Sequence, residues 1–489
     1  MKKLLRFGEV LLSAAIATTM LSACSDKPPA SKSPDSQTVS VGSDGSKEVP
    51  TLTWYQIGNA PTDLQAGIDN INSYIVDKVG AKIDIKYYTW GEYEEKINNM
   101  LNTGEYFDIM FAHTTYFTGH ASQGKFLKLD DKLNTVAPEL KSFVQDELWK
   151  AVTIKDGIYG VPTAKDSAAT QYFAFDKAMV EKYSIDLNSI TSLDTLEPVL
   201  KKIKEGEEKE TGKKVYPFYL HKEGYTAWQT DYDNYIKWDD ETATVQNTFE
   251  RPEIQEIFET LHRWADEGLI NPDASTLDNA PKYRICFAAQ AFPGAEEGWK
   301  AEYGYEIVSV PFTQPIISSN TVHGSVNVIS ANSKYPDEAL KFLQLANTDR
   351  TLRDMIAYGI ENTHWKSNGD GTITKIGDKY NTATYCQAST YTLSPIAPNP
   401  SNQYELVKEM TKNAKAHIIL GFAFDDTKVS TEAANINATI DKYKAELYTG
   451  VYSGTTADYL KKLNDELKSA GMEKMLAEIQ SQVNTFLGK

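Results

Sequence analysis

Residues 51–57, TLTWYQI, alternate with the period of a β-strand, and Leu52 and Trp54 fall on the one face that must be covered. From Asp63 the spacing changes. Leu64, Ile68, Ile71, Ile75 and Val79 recur at helical intervals, which predicts a helix ended by Gly80. KIDIKYY (82–88) returns to the strand period, Tyr93, Ile97 and Leu101 mark a second helix, and FDIMFA (107–112) reads as a third strand. Strands separated by helices predict an α/β fold with a parallel sheet, which places ligands at the carboxyl ends of its strands.

Further along, IKDGIYGVP (154–162) reads as a hairpin around Asp156-Gly157, and QYFAFDKAMVEKY (171–183) as a strand running into a helix. The charged run 201–214 reads as a solvated helix end and loop. Ile254, Ile257, Phe258, Leu261 and Trp264 give an amphipathic helix closed by Gly268. Pro336 stands in the first turn of another helix over 335–346, and residues 458–487 predict two more. KSNGDGTITKIG (366–377) has Lys366 and Gly377 where a calcium loop needs carboxylates, so a hairpin turn explains it better.

The amino terminus follows different rules. Lys2, Lys3 and Arg6 precede an uncharged apolar run from Val10 to Met20, too short to span a bilayer and laid out as a secretory signal. Leu21-Ser22-Ala23-Cys24 resembles the bacterial lipoprotein box, so Cys24 is expected to become the first residue and to carry acyl chains. Residues 25–50 hold no aromatic residue and are half Ser, Pro and Gly, which predicts a flexible tether. The expected order is therefore a signal peptide over 1–23, the lipidated Cys24 with its tether over 24–50, and a folded body from Thr51.

Composition narrows the chemistry. With 489 residues, 41% hydrophobic and 11% aromatic, the chain has material for a large core or two lobes. A net charge of −17 disfavours nucleic acid and anionic lipid. Beyond Cys24 only Cys286 and Cys386 remain, which leaves open one bridge or two buried thiols and excludes a disulfide framework. The seven histidines include no zinc spacing, so no metal or cofactor is expected. Ser122 and Lys125 match Ser-x-x-Lys by spacing, but the companion motifs of that chemistry are absent.

The lipoprotein box, WYQIG, FDIMF with its aromatic loop, GIYGVPTA, YFAFDK, PEIQEIFETLHRWADEGLINPD and YPDEALKFLQLA together resemble the extracellular solute-binding proteins of family one. Those are lipid-anchored receptors of ATP-driven sugar importers. The stretch from YGIENTHW through ILGFAFD resembles the branch with an extended C-terminal region. The resemblance implies a two-lobed periplasmic-binding-protein-like fold of type II, with the ligand cleft between lobes joined by a hinge that the chain crosses several times. The expected crossings are 163–172, 285–293 and 321–327. Lobe one is then 51–165 with 285–322, and lobe two 166–284 with 323–489.

A neutral sugar needs flat aromatic surfaces and fixed polar groups. Tyr55 and Gln56 end the first strand, and His113 and Thr114 end the third. Tyr172 stands at the first crossing, Trp228 in a loop of lobe two, Phe292 in a turn after the second crossing and Trp365 late in the chain. These eight are the candidate ligand contacts. The expected function is non-enzymatic capture of an extracellular oligosaccharide by a monomer anchored on the outer face of the bacterial cytoplasmic membrane, and its delivery to an ABC permease. Two rivals stay open: the same receptor with a peptide, a polyamine or a sensory role, and a secreted glycan hydrolase drawing on acids such as Asp231, Asp233, Asp425 and Asp426.

Overall fold

The computed structural model describes residues 48–489, apart from Asp156, so the signal peptide, Cys24 and nearly all of the tether lie outside the described residues. The first unit is β1 (Thr51–Ile57), α1 (Leu64–Val79), β2 (Lys82–Tyr88), α2 (Trp90–Thr103), β3 (Ile109–Ala112) and α3 (Thr114–Ser122). β1 pairs in parallel with β2 on one side and β3 on the other. Ile68, Ile71, Ile75 and Val79 of α1 face the sheet, and Gly80 adopts φ 79°, the left-handed cap that ends the helix.

Two more strands complete this sheet from far along the chain. Val326–Ile329 lies antiparallel to β3, and Val161–Pro162 lies antiparallel to Val326–Ile329. A second sheet has Gln171–Asp176 in its middle, flanked antiparallel by Cys286–Gln290 and Ile307–Pro311. Each sheet has its own hydrophobic core. The first core holds Trp54, Ile71, Phe111, Phe342 and Ile356; the second holds Phe173, Phe218, Phe258 and Trp264 and is covered by Ser430–Thr449, Thr456–Ser469 and Met472–Leu487. The fold is two-lobed α/β.

These pairings correct the expected division. Residues 286–311 build the sheet of lobe two, not lobe one, while Val326–Ile329, Pro336–Thr348 and Arg350–Tyr358 pack with lobe one. Periodicity marks a segment as a strand but does not name its partner, because fully buried strands carry no register signal of their own. The core moves from lobe one to lobe two between Ala168 and Phe173, back between Val310 and Ile317, and over again near Ile419 and Leu420. Within the expected crossing at 285–293, Cys286–Gln290 is instead a strand of lobe two with Phe292 reaching the first core beyond it, and 321–327 lies within lobe one. The three crossings bond to one another: Ala169 and Ile316 exchange both backbone hydrogen bonds, and Ile316–Ile317 runs parallel to Lys415–Ala416.

Smaller expectations have definite outcomes. Thr153–Ile154 and Gly157–Ile158 form the hairpin, and Trp365–Ser367 pairs with Ile373–Lys375 across the expected turn. Cys286 and Cys386 are free thiols, one in each core, and burial pushes Cys386 up to about 12. Among the described residues no helix is long and apolar enough to cross a membrane.

Candidate functional site

A cavity of about 490 Å³ lies between the lobes beside the crossings. Lys165 and Ala169 reach it from the first crossing, Gln171 and Gln290 from adjacent strands of lobe two, and Ser318, Asn320, Thr321 and Gly324 from lobe one. The loop from Gly224 to Tyr232 closes the far wall. Amides and hydroxyls make up its polar lining, and Lys165 is the one charged residue among those that line it. Lys165 is itself paired with Asp166 at 2.9 Å. Such a wall can donate and accept hydrogen bonds without offering net charge, which suits a neutral, hydroxyl-rich ligand. A polyamine would require carboxylates in the lining, where there are none.

The polar groups are held in place. Asn320 donates from Nδ2 to Asp233 Oδ1 at 3.0 Å, and Asn234 donates to the same oxygen at 2.8 Å. Burial raises the pKa of Asp233 to about 6. Tyr232 donates its hydroxyl to Glu253 Oε1 at 2.9 Å while the Arg251 guanidinium lies over its ring. A second cavity of about 270 Å³ adjoins the first through Tyr225 and Ala227. It is lined by Trp228, Asp231, Glu253 and Glu256, and burial raises Asp231 to about 6.

None of the eight residues nominated from sequence lines the larger cavity. Tyr55 stacks on Tyr88 within the first core, ring centroids 5.8 Å apart. Gln56 is fully buried and donates from Nε2 to Asn327 Oδ1, alongside the Trp54 indole. Asn327 in turn donates to the carbonyls of Cys386 and Gln387, fastening that loop across the sheet edge. His113 precedes α3 with Nε2 3.8 Å from Glu94 Oε1, and burial lowers its pKa; Thr114 is exposed in the first turn. Tyr172 is buried in the middle strand, one residue from Gln171. Trp228 meets Tyr232, Phe249, Phe258 and Tyr448 edge-on. Phe292 leans on the first core. Trp365 donates to the Gly359 carbonyl and packs with Tyr358, Ile373 and Leu393 in a small satellite core.

Tyr172 and Trp228 are therefore kept out of the larger cavity, and their chain neighbours Gln171, Ala227 and Gln229 line it. Sequence reasoning also passed over an exposed aromatic on lobe one. Trp90 opens α2 beside the carboxyl end of β2 and stacks on Tyr385. Sequence held no signal for it: three residues before Tyr93, Trp90 continues the stripe Tyr93, Ile97 and Leu101, and it is exposed because it stands at the first position of the helix.

Comparison with known proteins places this architecture. Residues 71–360 match the bacterial extracellular solute-binding protein family, and residues 418–488 match a domain of unknown function. A carbohydrate ABC transporter substrate-binding protein of Streptococcus pneumoniae is 31% identical over 466 residues, covering 90% of this chain and 92% of the relative. The crystal structure of the N-glycan transport solute binding protein NgtS, from the same species, superposes with a TM-score of 0.80 at 28% identity, covering 90% of this chain and 99% of that one. Its complexes with Man1GlcNAc and Man5GlcNAc superpose with TM-scores of 0.69 and 0.66. The chain belongs to the bacterial extracellular solute-binding proteins, and it is a binding protein rather than an enzyme.

Proposed function

We propose that this protein captures an extracellular oligosaccharide in the cleft and hands it to the permease of an ABC importer. The observation that carries the reading is the cavity between the lobes, polar through amides and hydroxyls and almost free of charge. The carbohydrate and N-glycan ligands of its relatives agree with that chemistry. The chain superposes better on NgtS without a named ligand than on its two glycan complexes, as an open form of a hinged receptor would. Closure is a rotation about the three bonded crossings, favoured when a ligand bridges Gln171 and Gln290 on one lobe to Asn320 and Thr321 on the other.

Thermal unfolding against Man1GlcNAc, Man5GlcNAc, other oligosaccharides, monosaccharides, peptides and polyamines tests this. A ligand at a hundred times its dissociation constant adds about 2.7 kcal/mol, a visible shift. Stabilisation by a peptide or an amine and by no glycan would overturn the sugar. The same reading holds that Cys24 is acylated and keeps the protein, as a monomer, on the outer face of the cytoplasmic membrane. Cys24→Ser is then expected to release it into the medium, and an unmodified Cys24 in the membrane-bound protein, read by mass spectrometry, would remove the anchor.

A further inference from the structure

Trp90 is 57% exposed, more than any other large apolar side chain among the described residues. One exposed aromatic needs no explanation. Its surroundings do. Trp90 stands at the carboxyl edge of the parallel strands, where an α/β sheet presents its ligand site. Its ring lies nearly parallel to Tyr385, at 11° with centroids 6.2 Å apart, so Tyr385 fixes the tilt of the indole and leaves its outer side to solvent. Glu94 follows one turn later at the i+4 position of α2, with its carboxylate 3.8 Å from His113 Nε2 and more than half exposed.

The loop that carries Tyr385 is anchored with unusual thoroughness. Arg353 is fully buried and donates to Ser389 O (2.8 Å), Gln387 Oε1 (3.1 Å) and Thr384 O (2.7 Å). Ser325 Oγ donates to the Tyr385 carbonyl at 2.8 Å, and Gly324, the residue before it, lines the cleft cavity. The backbone that carries the Tyr385 ring is thereby tied to the residue next to the cavity wall. Tyr385 also falls between the two family matches, so this part of the site is supplied by a stretch that neither match includes.

We propose that Trp90, backed by Tyr385, is a second sugar-stacking platform on lobe one, taking the outer residues of a ligand whose inner residues fill the cleft cavity. The C–H face of a pyranose lies on the indole while its hydroxyls reach Glu94. This rests on the oligosaccharide reading above and adds to it a preference for longer chains.

The test is calorimetric titration of the whole protein with Man1GlcNAc and Man5GlcNAc as the short and long probes. Trp90→Ala is expected to weaken Man5GlcNAc by about tenfold and Man1GlcNAc by less than about twofold, with Trp90→Phe restoring most of the loss. Ligand-induced change in tryptophan emission should diminish in Trp90→Phe with the long probe alone. Equal loss for both probes, or none for either, overturns the platform and leaves the oligosaccharide reading standing. A wild-type protein that binds neither probe nor any other glycan overturns both. Concentration-dependent self-association that Trp90→Ala abolishes would also overturn it, in favour of an interface between copies.

Discussion

The two lobes share one cleft and hold their walls by different forces. Lobe one is organised at its sheet edge by directional bonds: the Trp54 indole and the Gln56 amide on Asn327, Asn327 on the carbonyls of Cys386 and Gln387, and Arg353 on the same loop. Lobe two relies on interlocked rings, with Trp228 edge-on to four aromatics and Trp264 edge-on to Phe218. A hydrogen-bonded wall fails when a partner is left unpaired, whereas an aromatic wall fails when volume is lost. The comparison teaches where each lobe tolerates change: lobe two should accept any apolar group of similar size, and lobe one should not.

The largest expected effect is Trp264→Ala, which empties a fully buried site and frees Glu197 from its indole partner; about 4 kcal/mol should be lost in denaturant unfolding. Phe258→Leu, in the same core, should cost less than half as much. Asn327→Leu conserves volume yet leaves two carbonyls and the Gln56 and Trp54 donors unpaired, so a loss of about 3 kcal/mol is expected. A loss below about 1 kcal/mol there would erase the contrast between the lobes. Gly67→Ala comes next. A Cβ at this position would sit 2.4 Å from the Tyr380 ring, which packs on α1, so about 2 kcal/mol should be lost by overpacking.

Acid separates the lobes most gently. In lobe one, His323 donates to the Ala151 carbonyl and burial lowers its pKa from 6.5 to about 4. Its contribution is whole above 6.5 and is lost as the pH falls through about 4. In lobe two, Asp233 is raised from 3.8 to about 6, so its contribution is whole below 3.8 and is lost as the pH rises through about 6. Asp233→Asn should therefore raise the unfolding temperature at pH 7, with the gain narrowing as the pH falls. His323→Gln should flatten the acid loss between pH 6.5 and 4. Melting curves of both variants across that range check the two signs.

Much of lobe one was legible because its elements are strongly periodic and consecutive. β1, α1, β2 and α2 begin and end close to where the apolar spacing changes, and the left-handed glycine after α1 marks its stop. The partners of Cys286–Gln290 and Val326–Ile329 were not legible, since strand pairing over long separations depends on which faces the finished lobes bury. The site was less legible still. Large aromatics such as Trp228 and Trp365 are drawn into cores by their area, while small polar neighbours such as Gln171, Gln290 and Asn320 are left on the cleft wall. Only the finished arrangement of lobes tells a cleft amide from any other surface amide.

The strand order of the first sheet sets a schedule for the newborn chain. β3 has no second neighbour until Val326–Ile329 arrives, and the Trp54 indole meets its acceptor 273 positions later. During synthesis the nascent lobe one therefore carries an open strand edge and an unpaired indole while all of the central part of lobe two emerges. A chain held in that interval as it emerges would display a nearly complete α/β unit with one adhesive side, a natural target for chaperones. The insertion that lets one chain wrap around a cleft also keeps the amino-terminal lobe, the first to emerge, unsealed until the middle of lobe two has been made.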